Sequence, residues 1–276
     1  MGDSQHDTRP SPIAGRWYPG AADDLAASVD AFMDRADVPA LDGHLIGVLA
    51  PHAGHRYSGP VAGAAFKPVA ALEVDVVALV GPSHYPYPGP IVATSHSAYQ
   101  TPLGEVPVDR DALAQLQAII PIQFVRRDQE HSLEIELPFL QRTLSAFTLI
   151  PLALIDQSES MARTLGHALA DILDGRKALV VASSDLSHFY PQAVANRLDQ
   201  TVLDAVAAYD PQAVIQVEEA GKGFACGRGA IATTMIAARE LGANTAQVVG
   251  YATSGDVTHD FNQVVGYGAA WFYHAN

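Results

Sequence analysis

Three histidines occupy equivalent places in this sequence. Pro51-His52-Ala53-Gly54-His55, Gly81-Pro82-Ser83-His84-Tyr85 and Ser183-Ser184-Asp185-Leu186-Ser187-His188 each follow a short apolar run. Histidine supplies a neutral nitrogen ligand and a base that titrates near pH 7. Two or three of them brought together are the raw material of a catalytic metal site. The chain has eleven histidines, so one such placement would be unremarkable, and a lone histidine capping a turn is the simpler reading. Three, each in a Gly/Pro/Ser-rich loop, point to convergence.

Other groups could join them. Cys226 lies in Gly221-Lys222-Gly223-Phe224-Ala225-Cys226-Gly227-Arg228-Gly229, a flexible stretch that runs into a helix start. Helix N-termini stabilise a thiolate, so a low thiol pKa is expected there; a thiolate suits a soft or borderline metal. Glu130, His131 and Glu134 open a Leu-striped segment, with His131 and Glu134 on one face if it is helical. Asp256, His259 and Asp260 resemble a metal cluster in composition but read as a solvent-exposed loop. Ser184, Asp185 and His188 invite a hydrolase reading, yet the G-x-S-x-G elbow is absent and no HGGG-like oxyanion loop is visible.

The elements that must position these groups are legible from hydrophobic runs. Leu45-Ile46-Gly47-Val48-Leu49-Ala50, Asp75-Val76-Val77-Ala78-Leu79-Val80 and Ala178-Leu179-Val180-Val181-Ala182 are unalternated, as in strands buried on both faces. Residues 147–154, 247–252 and 264–272 are further strand candidates. Helices are expected over 21–35, 158–174, 192–209 and 230–241. Leu133, Leu137, Leu140 and Leu144 recur at helical spacing, with a kink expected at Pro138. This alternation predicts an α/β layered fold with a central, largely parallel or mixed sheet flanked by helices. The three histidines then fall at the carboxyl ends of strands, the edge where such sheets bind ligands. Residues 1–12 read as a flexible tail and 13–276 as one domain.

Composition narrows the function classes. Of 276 residues 49% are hydrophobic and 17% charged, which excludes a disordered chain. Sixteen basic against thirty acidic residues give a net charge of −14, which argues against nucleic-acid or anionic-membrane partners. Cys226 is the single cysteine, so an internal disulfide is impossible. With no signal-peptide pattern at the N-terminus and no apolar run long enough to span a bilayer, a cytoplasmic protein is expected.

Taken in order, several motifs resemble the Memo family (mediator of cell motility, the protein B group of the AmmeMemoRadiSam system). They are Ala14-Gly15-Arg16-Trp17-Tyr18-Pro19, Pro51-His52-Ala53-Gly54 with Tyr57-Ser58-Gly59, Gly81-Pro82-Ser83-His84, the 99–108 stretch with Thr101-Pro102-Leu103-Gly104, Glu130-His131-Ser132-Leu133-Glu134, Ser183-Ser184-Asp185-Leu186-Ser187-His188 and Cys226-Gly227-Arg228. The resemblance implies the fold of class III extradiol ring-cleavage dioxygenases, which are non-haem Fe(II) enzymes. It implies His52, His84 and Cys226 as metal ligands, with Asp185 and His188 beside the metal and His131 near the pocket. It also implies radical-SAM and AMMECR-type proteins as partners. The dioxygenases complete their ligand set with a carboxylate, where this chain has Cys226.

The expectation is therefore a metal-dependent oxidoreductase of dioxygenase type. Fe(II) is the first candidate and Cu(I) or Zn(II) the alternatives that a thiolate favours. His188 would be the acid/base, Asp185 would orient it or hydrogen-bond a ligand, and His131, Tyr57 and Trp17 would contact a small phenolic or chelating substrate. The competing expectation is a metal-holding or peptide-binding module without turnover. A Cys226- or Ser-based hydrolase is a third, which should survive chelation.

Overall fold

A computed structural model describes residues 7–276. Strand β1 (Thr8–Arg9), helix α1 (Ala22–Arg35), β2 (Gly43–Ala50), α2 (His55–Phe66) and β3 (Val76–Pro82) lead into three short strands, β4 (Ile91–Thr94), β5 (Ala98–Thr101) and β6 (Gly104–Pro107). Next come α3 (Arg110–Gln117), β7 (Ile122–Val125), α4 (Leu137–Thr143), β8 (Thr148–Leu154), α5 (Glu159–Leu173), β9 (Ala178–Ser183) and β10 (Asp185–Tyr190). The chain continues through α6 (Gln192–Ala207), α7 (Pro211–Glu219), α8 (Arg228–Glu240), β11 (Thr245–Thr253), α9 (Gly255–Thr258) and β12 (Val264–Ala275).

A nine-stranded mixed sheet has the order β10-β12-β2-β9-β3-β8-β4-β7, with β11 paired to β12 off that path. Its centre, β2-β9-β3-β8, is parallel. In register, Ala50 lies beside Ser183, Val80 beside Ala182 and Pro82 beside Leu154, so these strands end at one edge. Both faces are covered. Leu45, Val48 and Ala50 of β2 pack in one apolar cluster with α2 residues, while Ile46 and Leu49 pack in another with α6 and α8 residues. Burial on both sides removes the polar alternation of a half-exposed strand. Trp271 on β12 is fully buried, and its indole N–H donates to the Ala64 and Ala65 carbonyls, tying α2 to the sheet. The layered α/β fold expected from the sequence is thus the one observed. Among the described residues no helix is long and apolar enough to cross a membrane.

Two expectations need correction. The 1–12 segment is not a loose tail over its described part. Thr8–Arg9 pair in parallel with β5, and Arg9 is 3% exposed. Its guanidinium meets Asp128, Glu134 and the Glu130 carbonyl, partners more than a hundred residues away in sequence. Residues 1–6 lie outside the described residues. Pro138 does not kink a helix either: a short 3₁₀ turn spans Glu134–Glu136, and Pro138 stands in the first turn of α4. There its missing N–H has no helical acceptor to lose.

Candidate metal centre

The ends of β2 and β3 each hand over one imidazole with a partner behind its ring, and the loop that precedes the 3₁₀ turn supplies a third. After β2, the backbone N–H groups of His52 and Ala53 donate to Asp185 Oδ1 at 2.8 and 3.2 Å, which pins the loop. His52 is 1% exposed, and its Nδ1 lies 2.9 Å from Ser183 Oγ. Its Nε2 is left to face inward. After β3, the His84 N–H donates to Glu130 Oε2 at 2.6 Å and His84 Nδ1 lies 2.9 Å from Glu130 Oε1. The same Oε1 accepts the N–H groups of His131 and Ser132, and lies 3.5 Å from His131 Nδ1.

The rings of His84 and His131 stack at 4.6 Å, and His52 meets them edge-on at 5.2 and 5.4 Å. One nitrogen from each of His52, His84 and His131 lies within 4.8 Å of the others. Imidazoles held from behind by a carboxylate or hydroxyl, with their remaining lone pairs converging, are the donor set of a divalent-metal site. Burial, with the neighbouring imidazoles, holds the His52 pKa well below its usual range, and burial brings His131 down to about 4. His52 and His131 are therefore neutral at pH 7, as ligands must be. Burial works to raise the Glu130 pKa, but the hydrogen bonds from His84 and from the His84 and Ser132 backbones outweigh it, so Glu130 stays ionised.

Cys226 touches this group from outside the trio. Its Sγ lies 3.1 Å from His52 Nε2 and accepts the Asp185 N–H at 3.3 Å. A Cβ on the next residue, Gly227, would come within 2.7 Å of the Ser183 carbonyl, so only glycine lets this loop pack on the end of β9. The expected acidic thiol is overturned. Helix α8 starts only at Arg228, and burial, followed by the Asp185 charge, pushes the thiol pKa well above normal.

The trio opens into a cavity of about 560 Å³ whose wall includes Trp17, Tyr57, Asp185 and His188. The Trp17 ring packs against that of His131 at 4.2 Å, tilted by 40°. The buried His188 Nδ1 has no partner among the described residues. Of the two roles expected for Asp185, orienting His188 or hydrogen-bonding a ligand, the first has no hydrogen bond behind it among the described residues, and the Asp185 Oδ1 braces the His52 loop. Burial raises its pKa to about 7. Glu130 and Ser183 appeared in the sequence only as members of their motifs, with no partner assigned, and Glu136 was not singled out; the fully buried Glu136 accepts a 2.9 Å hydrogen bond from Ser183.

If Glu130 is the shared outer partner, Glu130→Gln should weaken metal binding about 10–100-fold while the chain stays folded. Competition against a chromophoric chelator measures this. Unchanged affinity would reduce Glu130 to a backbone brace.

Fold and site together define an α/β protein with a histidine-lined, metal-capable cavity at the carboxyl ends of its parallel strands. Residues 9–271 match the family model described as Memo-like protein, and the chain belongs to the Memo family. It is 34% identical to a MEMO1 family protein of Nitrosopumilus maritimus, with 94% of this chain and 98% of that one aligned. It is 37% identical to a MEMO1 family protein of Archaeoglobus fulgidus, over 94% of this chain and 97% of that one. An uncharacterized protein of Escherichia coli K12 shares the fold at a TM-score of 0.53 and 12% identity, covering 82% of this chain and 99% of its own.

Proposed function

We propose that this chain is a non-haem metal-dependent oxidoreductase of dioxygenase type that acts on a small phenolic or otherwise chelating molecule. The observation that carries the reading is the histidine trio on the wall of an accessible cavity, with a fourth imidazole, His188, on the same wall. His52 and His84 hold the metal, with His131 or Cys226 as third ligand. A bound Fe(II) supplies Lewis acidity and a redox couple for O₂; Zn(II) or Cu(I) are the alternatives that Cys226 favours. His188, on the cavity wall, takes the proton from a substrate hydroxyl, help worth roughly 10²–10⁴-fold. Asp185 holds the His52 loop and closes the cavity floor. Trp17 and Tyr57 bear on the substrate ring.

One observation favours a second reading. The contact of Cys226 with His52 Nε2 offers a fourth donor, and a closed four-donor shell belongs to a structural or storage site. The chain would then hold metal, or dock a protein partner, without turnover. Radical-SAM and AMMECR-type partners rest on the family resemblance alone and are tested by copurification.

Metal analysis of protein purified anaerobically without added metal, followed by O₂ uptake with a catechol panel, decides between the readings. Bound iron with substrate-dependent uptake supports the oxidoreductase. Full iron occupancy with no uptake, and no ring cleavage, ends it in favour of the non-catalytic module. Activity that persists after chelation would point to a hydrolase instead.

A further inference from the structure

Arg16 supplies the one guanidinium on the wall of the histidine cavity. The turn that carries it is fixed by the backbone. Gly15 adopts a φ of +74°, and its N–H donates to the Tyr18 carbonyl at 2.9 Å. The N–H groups of Arg16 and Trp17 both donate to the Ile13 carbonyl, and the Trp17 carbonyl accepts the His55 N–H at 2.8 Å. Glycine suits the left-handed position, so the turn holds its shape without strain. It presents Arg16 and Trp17 together on the cavity wall, with Trp17 already packed against His131.

The Arg16 side chain makes no ion pair or hydrogen bond among the described residues. No carboxylate of the cavity is placed to answer it. Asp185, the one acid on the wall, gives Oδ1 to two backbone N–H groups. Glu130 is taken up by His84 Nδ1 and by the backbone N–H groups of His84, His131 and Ser132. In a chain of net charge −14, this wall carries one unpaired cation, four imidazoles and the aromatic rings of Trp17, Tyr57 and Tyr267. Arg16 is solvent-exposed at the cavity, so an anion carried by a ligand meets it without displacing an internal partner.

We propose that Arg16 anchors the carboxylate of a small aromatic substrate whose ring packs against the Trp17, Tyr57 and Tyr267 wall. A guanidinium fork matches the two oxygens of a carboxylate. The wall has no lysine or second arginine for the second charge of a phosphate. The proposal builds on the reading of this cavity as a metal-assisted substrate site, and the test separates the two.

Binding of 3,4-dihydroxybenzoate is compared by calorimetry with that of 4-methylcatechol, a neutral analogue of similar size. Wild type, Arg16→Gln and Arg16→Lys are each measured metal-free and loaded with Zn(II), which prevents turnover. Wild type should prefer the carboxylate about tenfold, the scale of one charge-assisted hydrogen bond at a partly solvated site. Arg16→Gln should abolish the preference, Arg16→Lys should keep part of it, and high salt should narrow it. Equal affinity for the two probes in wild type, a preference that survives Arg16→Gln, or no binding of either probe overturns the anchor. If the preference is present metal-free while Zn(II) strengthens neither probe, the anchor stands and the metal-assisted reading fails. If Zn(II) strengthens both probes equally without a preference, the anchor fails and that reading stands.

Discussion

His52→Ala or His84→Ala should each abolish tight divalent-metal binding, a loss of at least about 100-fold that exceeds the 10–100-fold cost of an outer-shell partner. Both rings give one nitrogen to the convergent trio and have the other engaged, His52 by Ser183 and His84 by Glu130. Metal content by elemental analysis and a chelator competition report the loss directly. Thermal unfolding gives a second readout, because a ligand at 100 times its Kd stabilises the native state by about 2.7 kcal/mol. That metal-induced rise should vanish in both variants. His131→Ala and Cys226→Ser then identify the third ligand: the variant that loses metal as completely as His52→Ala supplies it. Retention of full affinity by His52→Ala would dismiss the centre.

Arg9→Met should destabilise the protein by about 3–5 kcal/mol, the cost of leaving buried charges unpaired. Arg9 is 3% exposed and Glu134 is fully buried, with 2.6 Å between Arg9 Nη1 and Glu134 Oε2. Arg9 Nε also donates to both oxygens of Asp128, at 3.1 and 3.0 Å. Methionine fills part of the volume but answers neither carboxylate. The melting temperature should fall on the order of 10 °C for a domain of this size. Adding Glu134→Gln to Arg9→Met should recover part of the loss, because it removes one of the stranded charges. A fall of only a degree or two would show the network to be solvated and weak. The effect should reach the site as well. Arg9 Nη2 donates to the Glu130 carbonyl at 2.7 Å, so the loop that holds His84 and His131 depends on this anchor.

Much of the site was legible before any coordinates. Strands buried on both faces appear as unbroken apolar runs, and the residue that leaves the carboxyl end of such a run must lie at the ligand-binding edge of the sheet. That argument places His52, His84 and His188 together, and the observed register brings the ends of β2, β3 and β9 to one edge. Order of motifs along the chain was enough to assign the family. The short strands β4 to β7 were not legible, since four-residue segments carry too little periodicity to separate from loop.

What only the tertiary structure decided is which groups pair. Glu130 looks like a solvated charge in sequence, and it becomes the partner of the His84 imidazole and backbone N–H only because a loop 46 residues away folds onto it. Asp185 lies three residues before His188 yet serves His52, 133 positions distant. Arg9 reads as part of a tail until β1 pairs with β5 and carries it into the interior. Cys226 reads in sequence as a thiol poised to ionise, and its burial against Asp185 reverses the direction. Local sequence dictates periodicity and therefore where strands end. A charged or polar side chain has the same local signature whether it meets water or a partner, and the choice between them is made by strand register and loop closure over long separations.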